Sequence, residues 1–368
     1  MLSAGGIRHQ FSERANVLLS QYGTEFLRSI PSRLRVDESQ DAPDIQFVEG
    51  GYLFLASENG RAVLEANHKV QREVNASVDM LTPEQLRAKF PWLSTDGVVA
   101  GTLGVDGQGW FDPWSYLTAL KRKSVALGVD VIQGEVKGFD LDDQANRIQR
   151  VLFDQKHGDG VVRKSIAADK VVNAAGPWAS KLLEMCGSMD YPVRPRKRSV
   201  FVYHCPHEET WKGPSASPLV VDPTGIYFRR EGSGGQFVCG VSPDEAQDPD
   251  GITDDELDYP DHELFENVIW PTIAERVPKF EDIKLVNAWA GWYEYNTFDQ
   301  NAIIGIHPDV PNMYLINGFS GHGLQQSPGA GRAVAELIAH GKYVTVDASC
   351  FHFERVRENK PFLEKNIV

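Results

Sequence analysis

Apolar positions recur at helical spacing from Arg14 to Ile30, where Val17, Leu18, Tyr22, Phe26 and Ile30 fall on or near one face. A polar stretch rich in Asp and Pro follows, and then Gly51-Tyr52-Leu53-Phe54-Leu55-Ala56 predicts a strand. Arg61 to Val74 returns to helical spacing, and Thr82-Pro83-Glu84 opens a short helix by its cap chemistry. Asp112-Pro113 marks another helix start, an N-cap acid ahead of a proline at the first helical position. Trp114, Leu117, Leu120 and Leu127 are expected to supply much of its buried stripe, and Gly128 to end it.

Beyond Gly128 the period shortens to two. Val129 to Ile132 predicts a short strand, and Gly134 to Phe139, Arg147 to Phe153 and Val161 to Ala167 predict a small β-meander. Lys170-Val171-Val172-Asn173-Ala174-Ala175-Gly176 is small and apolar, the texture of a strand buried on both faces of a parallel sheet. Gly176-Pro177-Trp178 turns it into a helix through Leu182 and Leu183. From Arg198 to Ala290 strands dominate, at Val200–Tyr203, Ile226–Arg230 and Phe237–Val241, with Gly232-Ser233-Gly234-Gly235 as a hairpin turn. An acidic loop, Pro243 to Asp261, leads to a helix around Leu264 to Val277. Met313 to Asn317 is then a strand, and Gly329 to His340 a helix. Ser327 is expected to cap that helix and Pro328 to take its first position, while Ala333, Val334, Leu337 and Ile338 bury one side and Gly341 ends it. Alternating helices and strands followed by a strand-rich block predict an α/β nucleotide-binding domain joined to an antiparallel-sheet domain that roofs a pocket.

Composition narrows the function classes. The 368 residues, 42% hydrophobic and 24% charged, suffice for one large domain or two interleaved ones. A net charge of −14 opposes non-specific attraction to nucleic acid or anionic lipid. The basic cluster Arg194-Pro195-Arg196-Lys197-Arg198 reads as the solvated approach to a strand, with a nucleic-acid or cardiolipin patch as the alternative. Cys186, Cys205, Cys239 and Cys350 are widely spaced, which suggests a reducing compartment and no disulfide framework. His204-Cys205-Pro206-His207 lacks a second ligand cluster, so a metal reading of it is disfavoured. No apolar run approaches the ~18–20 residues needed to span a bilayer. The first residues show no cleavage pattern and read as mature protein.

The most informative chemistry is the segment from Gly318 to Gly329. A strand delivering several glycines to a helix N-terminus lets a ligand lie against bare backbone, where free N–H groups and the helix dipole stabilise negative charge. Such a site would ease reduction of a flavin. Gly318-Phe319-Ser320-Gly321 also fits four places of the hydrolase elbow G-x-S-x-G, but the fifth is His322. A tight turn with no ligand is the remaining alternative.

Four segments in order resemble the D-amino-acid-oxidase-like flavoproteins, which include sarcosine and glycine oxidases and dimethylglycine dehydrogenases. They are Ala4-Gly5-Gly6-Ile7-Arg8, Val172-Asn173-Ala174-Ala175-Gly176-Pro177-Trp178, Trp289-Ala290-Gly291-Trp292-Tyr293-Glu294 and Gly318-Phe319-Ser320-Gly321-His322-Gly323. The resemblance runs over essentially the whole chain. It implies an FAD site with Val136, Ala175 and Gly176 at the adenosine half and Trp178 packing near it. Gly6, Arg8, Gly291, Gly321, His322, Gly323, Leu324 and Gln325 would surround the isoalloxazine. Tyr227, Arg229, Tyr293 and His322, with Arg8, are the candidates for the substrate side, although strand packing for Tyr227 and Arg229 and a merely hydrogen-bonded loop histidine for His322 stay open.

Departures from the family pattern shape the expectation. Family members open with a strand, G-x-G-x-x-G and a helix, and no such unit occurs here. The expected architecture is therefore a doubly wound FAD-binding domain lacking its first βαβ unit, in an N-terminally truncated chain of poor stability. That domain is expected over 1–46, 98–196 and 291–346, the substrate or roof domain over 47–97 and 197–290, and a C-terminal tail over 347–368. No Cys occurs between Cys239 and Cys350, and Ser3 stands where some amine dehydrogenases carry a flavin-linking His, which implies noncovalent FAD. No Lys occurs from Gly225 to Asp244, where some of the oxidases carry one that activates oxygen. The expected activity is thus an amine-oxidising, FAD-dependent oxidoreductase, a dehydrogenase of small secondary or tertiary amines. The branch of the family resembled most closely implies a mitochondrial location and assistance in assembling respiratory complex I. In the alternative reading the flavoprotein fold is a non-catalytic scaffold for complex I subunits.

Overall fold

The predicted strands collect into one large sheet and three small ones. The computed structural model describes residues 3–39, 41–142, 146–158, 160–187, 191–207, 211, 217–243, 248 and 254–365. In chain order the strands are β1 Gly6–Ile7, β2 Tyr52–Ala56, β3 Val78–Leu81, β4 Ala100–Gly104, β5 Gly109–Trp110, β6 Glu135–Asp142, β7 Arg147–His157 and β8 Gly160–Ala167. They continue as β9 Val171–Asn173, β10 Val193–His204, β11 Leu219–Val221, β12 Ile226–Glu231, β13 Gln236–Val241, β14 Lys284–Asn296, β15 Ile303–Ile306 and β16 Met313–Asn317. The helices are α1 Arg14–Arg33, α2 Arg61–Glu73, α3 Pro83–Lys89, α4 Pro113–Ala126, α5 Ala179–Glu184, α6 His262–Leu264, α7 Trp270–Arg276, α8 Gly323–His340 and α9 Glu354–Arg357.

The large sheet has eight strands in the order β14-β10-β13-β12-β11-β2-β4-β3 and is antiparallel except where β11 runs parallel to β2. Alternation gives it two unlike faces. Phe201, Tyr203, Ile226, Phe228 and Phe237 point outward into an aromatic core closed by Phe265, Ile273 and Phe280 around α6 and α7. Their neighbours in sequence, Val200, Tyr227 and Val238 among them, form the inner face. The sheet takes in β4 and the start of β10, past the 47–97 and 197–290 limits expected for the roof. Within the acidic loop, residues 244–247 and 249–253 lie outside those described.

A smaller sheet, in the order β15-β16-β9, carries the nucleotide-domain texture, with β16 parallel to β9. The meander forms as predicted, in the order β6-β7-β8. The C-terminal residues dock back on the chain start. Buried Glu364 accepts from Ser12 N at 2.8 Å and Asn16 Nδ2 at 2.9 Å, and Arg355 donates to Asp299.

Local cap signals hold. Thr82 and Gln85 form a reciprocal capping box, and Asp112 accepts from the N–H groups of Trp114 and Ser115. Five expectations need correction. Trp114, Leu117 and Leu127 are exposed; α4 buries Pro113, Tyr116 and Ala119 instead. Periodicity identifies an apolar face but not whether anything covers it. Val129 to Ile132 is not a strand, because no strand lies beside it among the described residues. β9 is not buried on both faces, since it is an edge strand and Val172 is exposed. The last long helix starts at Gly323, not Gly329, so Ser327 and Pro328 lie inside it. Proline is tolerated there because the carbonyl it leaves unpaired, Leu324 O, accepts from Ser327 Oγ at 2.9 Å. Finally, the basic cluster is not solvated: Arg196 is buried in β10 and Arg198 nearly so.

Candidate functional site

The chain start threads through the interior, pairing β1 with β5, and sets Arg8 at the floor of a chamber under the inner sheet face. Arg8 is 1% exposed, with its guanidinium 4.2 Å from the Phe11 ring centroid and 5.0 Å from that of Phe54. Its backbone N–H donates to Gln325 Oε1 at 2.8 Å, and Nη2 donates to His322 Nε2 at 3.1 Å. Burial lowers its pKa from the ordinary arginine value, with Tyr52 opposing. His322, the residue capping α8, is also buried, and burial followed by the Arg8 charge holds its pKa well below 6.5. It is therefore a neutral imidazole whose Nε2 is an acceptor, which puts its proton on Nδ1.

The glycine segment turns β16 into α8 through left-handed residues, Gly318 at φ 74°, Ser320 at 47° and Gly321 at 90°. A methyl group on residue 321 would lie 2.6 Å from Tyr293 Oη, so the loop and the tyrosine fit only as glycine and phenol. Beneath the loop, Glu294 accepts from the backbone N–H groups of Gly318 at 2.9 Å and Phe319 at 3.3 Å. Burial raises its pKa above the ordinary glutamate value despite those donors. The N–H groups of the first turn of α8 have no acceptor within the helix and face the loop end.

The roof comes from the inner sheet face. Tyr227 lies across Gly240, where an added methyl would come 2.5 Å from its Oη. Arg198 donates Nη1 and Nη2 to Asp248 at 2.7 and 2.8 Å, and its guanidinium stacks 4.4 Å from the Tyr293 ring centroid. Burial raises the pKa of Tyr227 and Tyr293, so both phenols stay protonated at neutral pH. The chamber has a volume of about 290 Å³ and opens to the surface. Gly291 adds an open ledge, since a methyl group there would meet nothing within 4 Å.

Most of the sequence-predicted residues converge. Gly6, Arg8, Tyr227, Gly291, Tyr293, Gly321, His322, Leu324 and Gln325 all line the chamber, and Gly323 begins α8 beside it. Arg229 does not line it. Its Nε donates to Ala4 O at 2.6 Å and its Nη1 to Arg230 O at 2.7 Å and Glu231 at 2.5 Å, so those donors are not available to a substrate carboxylate. Ala175, Gly176 and Trp178 stand at the carboxyl end of β9, and Trp178 reaches the chamber wall through Trp292, their ring centroids 6.5 Å apart. Val136 lies on the meander, outside the chamber lining. Sequence reasoning missed Arg198, Trp289 and Glu294. Continuing the period of two from Val200 back through the basic cluster would have put Arg198 on the inner face.

These residues fit the ring half of a flavin: bare backbone at Gly5, Gly6, Gly291 and Gly321, and a crevice beyond the carboxyl ends of two parallel strands, where open α/β sheets bind ligands. The family described as FAD dependent oxidoreductase matches residues 2–337, and the chain belongs to it. Among individual proteins the chain is similar to the Xenopus laevis "FAD-dependent oxidoreductase domain-containing protein 1", 44% identical over 390 aligned residues that cover 100% of this chain and 76% of the relative. Among solved structures it resembles L-proline dehydrogenase from P. horikoshii, with a TM-score of 0.80, 25% identity, and coverage of 97% of this chain and 87% of that one. Glycine oxidase from Geobacillus kaustophilus shares the fold, with a TM-score of 0.75, 22% identity, and coverage of 95% and 86%.

Proposed function

We propose that this chain holds FAD noncovalently and oxidises the C–N bond of a small secondary or tertiary amine, as a dehydrogenase that passes electrons to an acceptor other than oxygen. The observation that carries the reading is the chamber itself, whose lining combines bare backbone at Gly6, Gly291 and Gly321 with the aromatic side chains of Tyr227, Tyr293 and Trp289. Gly6, Gly291 and the segment Gly321 to Gln325 would hold the flavin ring, while Ala175, Gly176 and Trp178 stand where the chain would meet the rest of the cofactor. FAD, when bound, supplies the two-electron acceptor, so the protein's part is placement and electrostatics.

The lining favours this chemistry in three ways. No Cys lines the chamber among the described residues, and its histidine is held by Arg8, which supports a noncovalent cofactor. No Lys lines it either, which supports the dehydrogenase reading. Arg8 brings a buried positive charge to the lining and no Asp or Glu among the described residues lines it, so an ammonium is disfavoured and an amine is held in the neutral form that can release hydride. The likeness to an L-proline dehydrogenase agrees with a cyclic or N-alkylated amine.

The test is anaerobic titration of the FAD-loaded protein with N-methylated amines. Bleaching of the flavin absorbance, with electrons recovered by an artificial acceptor faster than by oxygen, is expected. Tight FAD binding with no reduction by any secondary or tertiary amine would instead support the scaffold reading.

A further inference from the structure

The inner sheet face continues past the chamber. One row of it carries Trp289, Val200, Gly240 and Tyr227, and the next, in register, carries Asn287, Val202, Val238 and Arg229. The second row lines a trough of about 900 Å³ that shares Ser3 and Trp289 with the chamber. Its apolar surfaces are Val202, Val238, Val48 and the two indoles Trp110 and Trp289. Arg229 stiffens one side, its guanidinium 5.6 Å from the Trp110 ring centroid and its Nε and Nη1 already donated to the chain. Gln46, Ser233 and Asn287 are polar lining residues, and Asp112, Arg230 and Glu231 add charge to the lining, Glu231 paired with Arg229.

We infer that this trough receives the distal part of the amine substrate, a large apolar or aromatic group, while the C–N end passes Trp289 into the chamber. The inference rests on the amine-oxidising reading above and names its substrate class. The size difference supports it. A flavin ring held by Gly6, Gly291 and the segment Gly321 to Gln325 would itself take up much of the chamber's about 290 Å³, so a bulky substituent must lie outside it, and about 900 Å³ of adjoining space takes one. The wall chemistry supports it too. Valines below and indoles at the sides match an aryl or branched alkyl group, and Arg229, buried against Trp110 with its Nε and Nη1 already donated, does not offer those donors to a carboxylate.

Calorimetric titration of the FAD-loaded protein with two probes, N-methylphenethylamine and dimethylamine, tests this. The aryl amine is expected to bind at least about tenfold more tightly, as burial of its ring predicts. Val238→Glu, which puts a charge on the trough surface, and Asn287→Trp, which fills the trough from an exposed strand position, should each bring the two affinities within about twofold of one another. Asn287→Trp carries the test if Val238→Glu fails to fold. Equal affinities, no binding of either amine, or a preference that survives Asn287→Trp would overturn the inference. Flavin reduction, followed in the same samples, reads the amine-oxidising reading separately: an aryl preference without reduction would keep the trough and remove the reaction.

Discussion

Glu294 and Gly318 are joined by a 2.9 Å hydrogen bond in which the backbone N–H at the head of the glycine loop donates to a carboxylate near the end of β14. The neighbouring residue, Tyr293, alternates to the chamber side and fits against Gly321 of the same loop. Two consecutive residues of one strand therefore fix the loop from both faces, and with it the start of α8. Removing the carboxylate with Glu294→Ala orphans the Gly318 and Phe319 donors, each hydrogen bond to a charged group being worth about 1.5–3 kcal/mol. The expected result is at least about a tenfold loss in FAD affinity, measured by flavin fluorescence titration.

The same residue has a pH signature. Its pKa is raised by burial, so the folded state holds the proton more tightly than the unfolded chain does. The stabilisation is complete below the ordinary value of 4.5 and is lost as pH rises through the raised one. Glu294→Gln should remove that slope while keeping the loop in place. Urea midpoints across a pH series of both proteins check it, and identical profiles would exclude Glu294 as the source.

His322 is expected to behave in the opposite sense. Its pKa is held well below 6.5 by burial and by Arg8, so below about that pH the unfolded chain takes up a proton that the folded protein refuses. Stability should decline as pH falls from there, and His322→Asn should flatten the decline. Because the histidine is already neutral at pH 7 and both phenols remain protonated, the rate of flavin reduction should track the ionisation of the added amine. A protein-borne inflection near the ordinary histidine pKa, seen in reduction rates with two amines of different basicity, would contradict this assignment.

What could be read from the sequence was what local rules decide. The capping box at Thr82, the cap at Asp112, the hairpin at Gly232 to Gly235 and the glycine loop depend on residues a few positions apart, and all of them stand in the structure. What escaped depends on partners far along the chain. Arg198 lines the chamber because Asp248, 50 residues away, takes its charge. Glu294 reaches the loop across 24 residues. Proline's missing N–H points to a helix start for Pro328, yet the Ser327 hydroxyl, donating to Leu324 O, makes an interior position tolerable. Chamber residues from the glycine loop and from the alternating strands were thus legible, while the charges that balance them were not.

Asp248 tests that balance directly. It is 6% exposed and sits against both Arg196 and Arg198. Asp248→Asn leaves two buried guanidinium groups without their shared anion, a change that typically costs about 3–5 kcal/mol. A large fall in the urea midpoint is expected, together with loosened packing of Tyr293 beneath Arg198. A shift within the scatter of ordinary surface substitutions would mean that the arginines find other compensation.

The outward face of α4 makes the last prediction. Trp114, Leu117 and Val125 are 57%, 45% and 51% exposed, and with Val36 they form one apolar hollow beside Lys121 and Arg122. Val129, Val131 and Ile132 continue the apolar exposure just beyond the helix. A contiguous patch of this kind promotes association whatever its biological partner. Leu117→Glu with Val125→Lys should reduce binding of the dye ANS and slow aggregation, while changing the unfolding free energy by no more than about 0.5 kcal/mol, because neither side chain is buried in the core. The measurement is light scattering of the two proteins at matched concentration alongside urea titrations. If scattering is unchanged, the association surface lies elsewhere, with the exposed apolar positions of β8 at Val161, Val162 and Ile166 as the next segment to substitute.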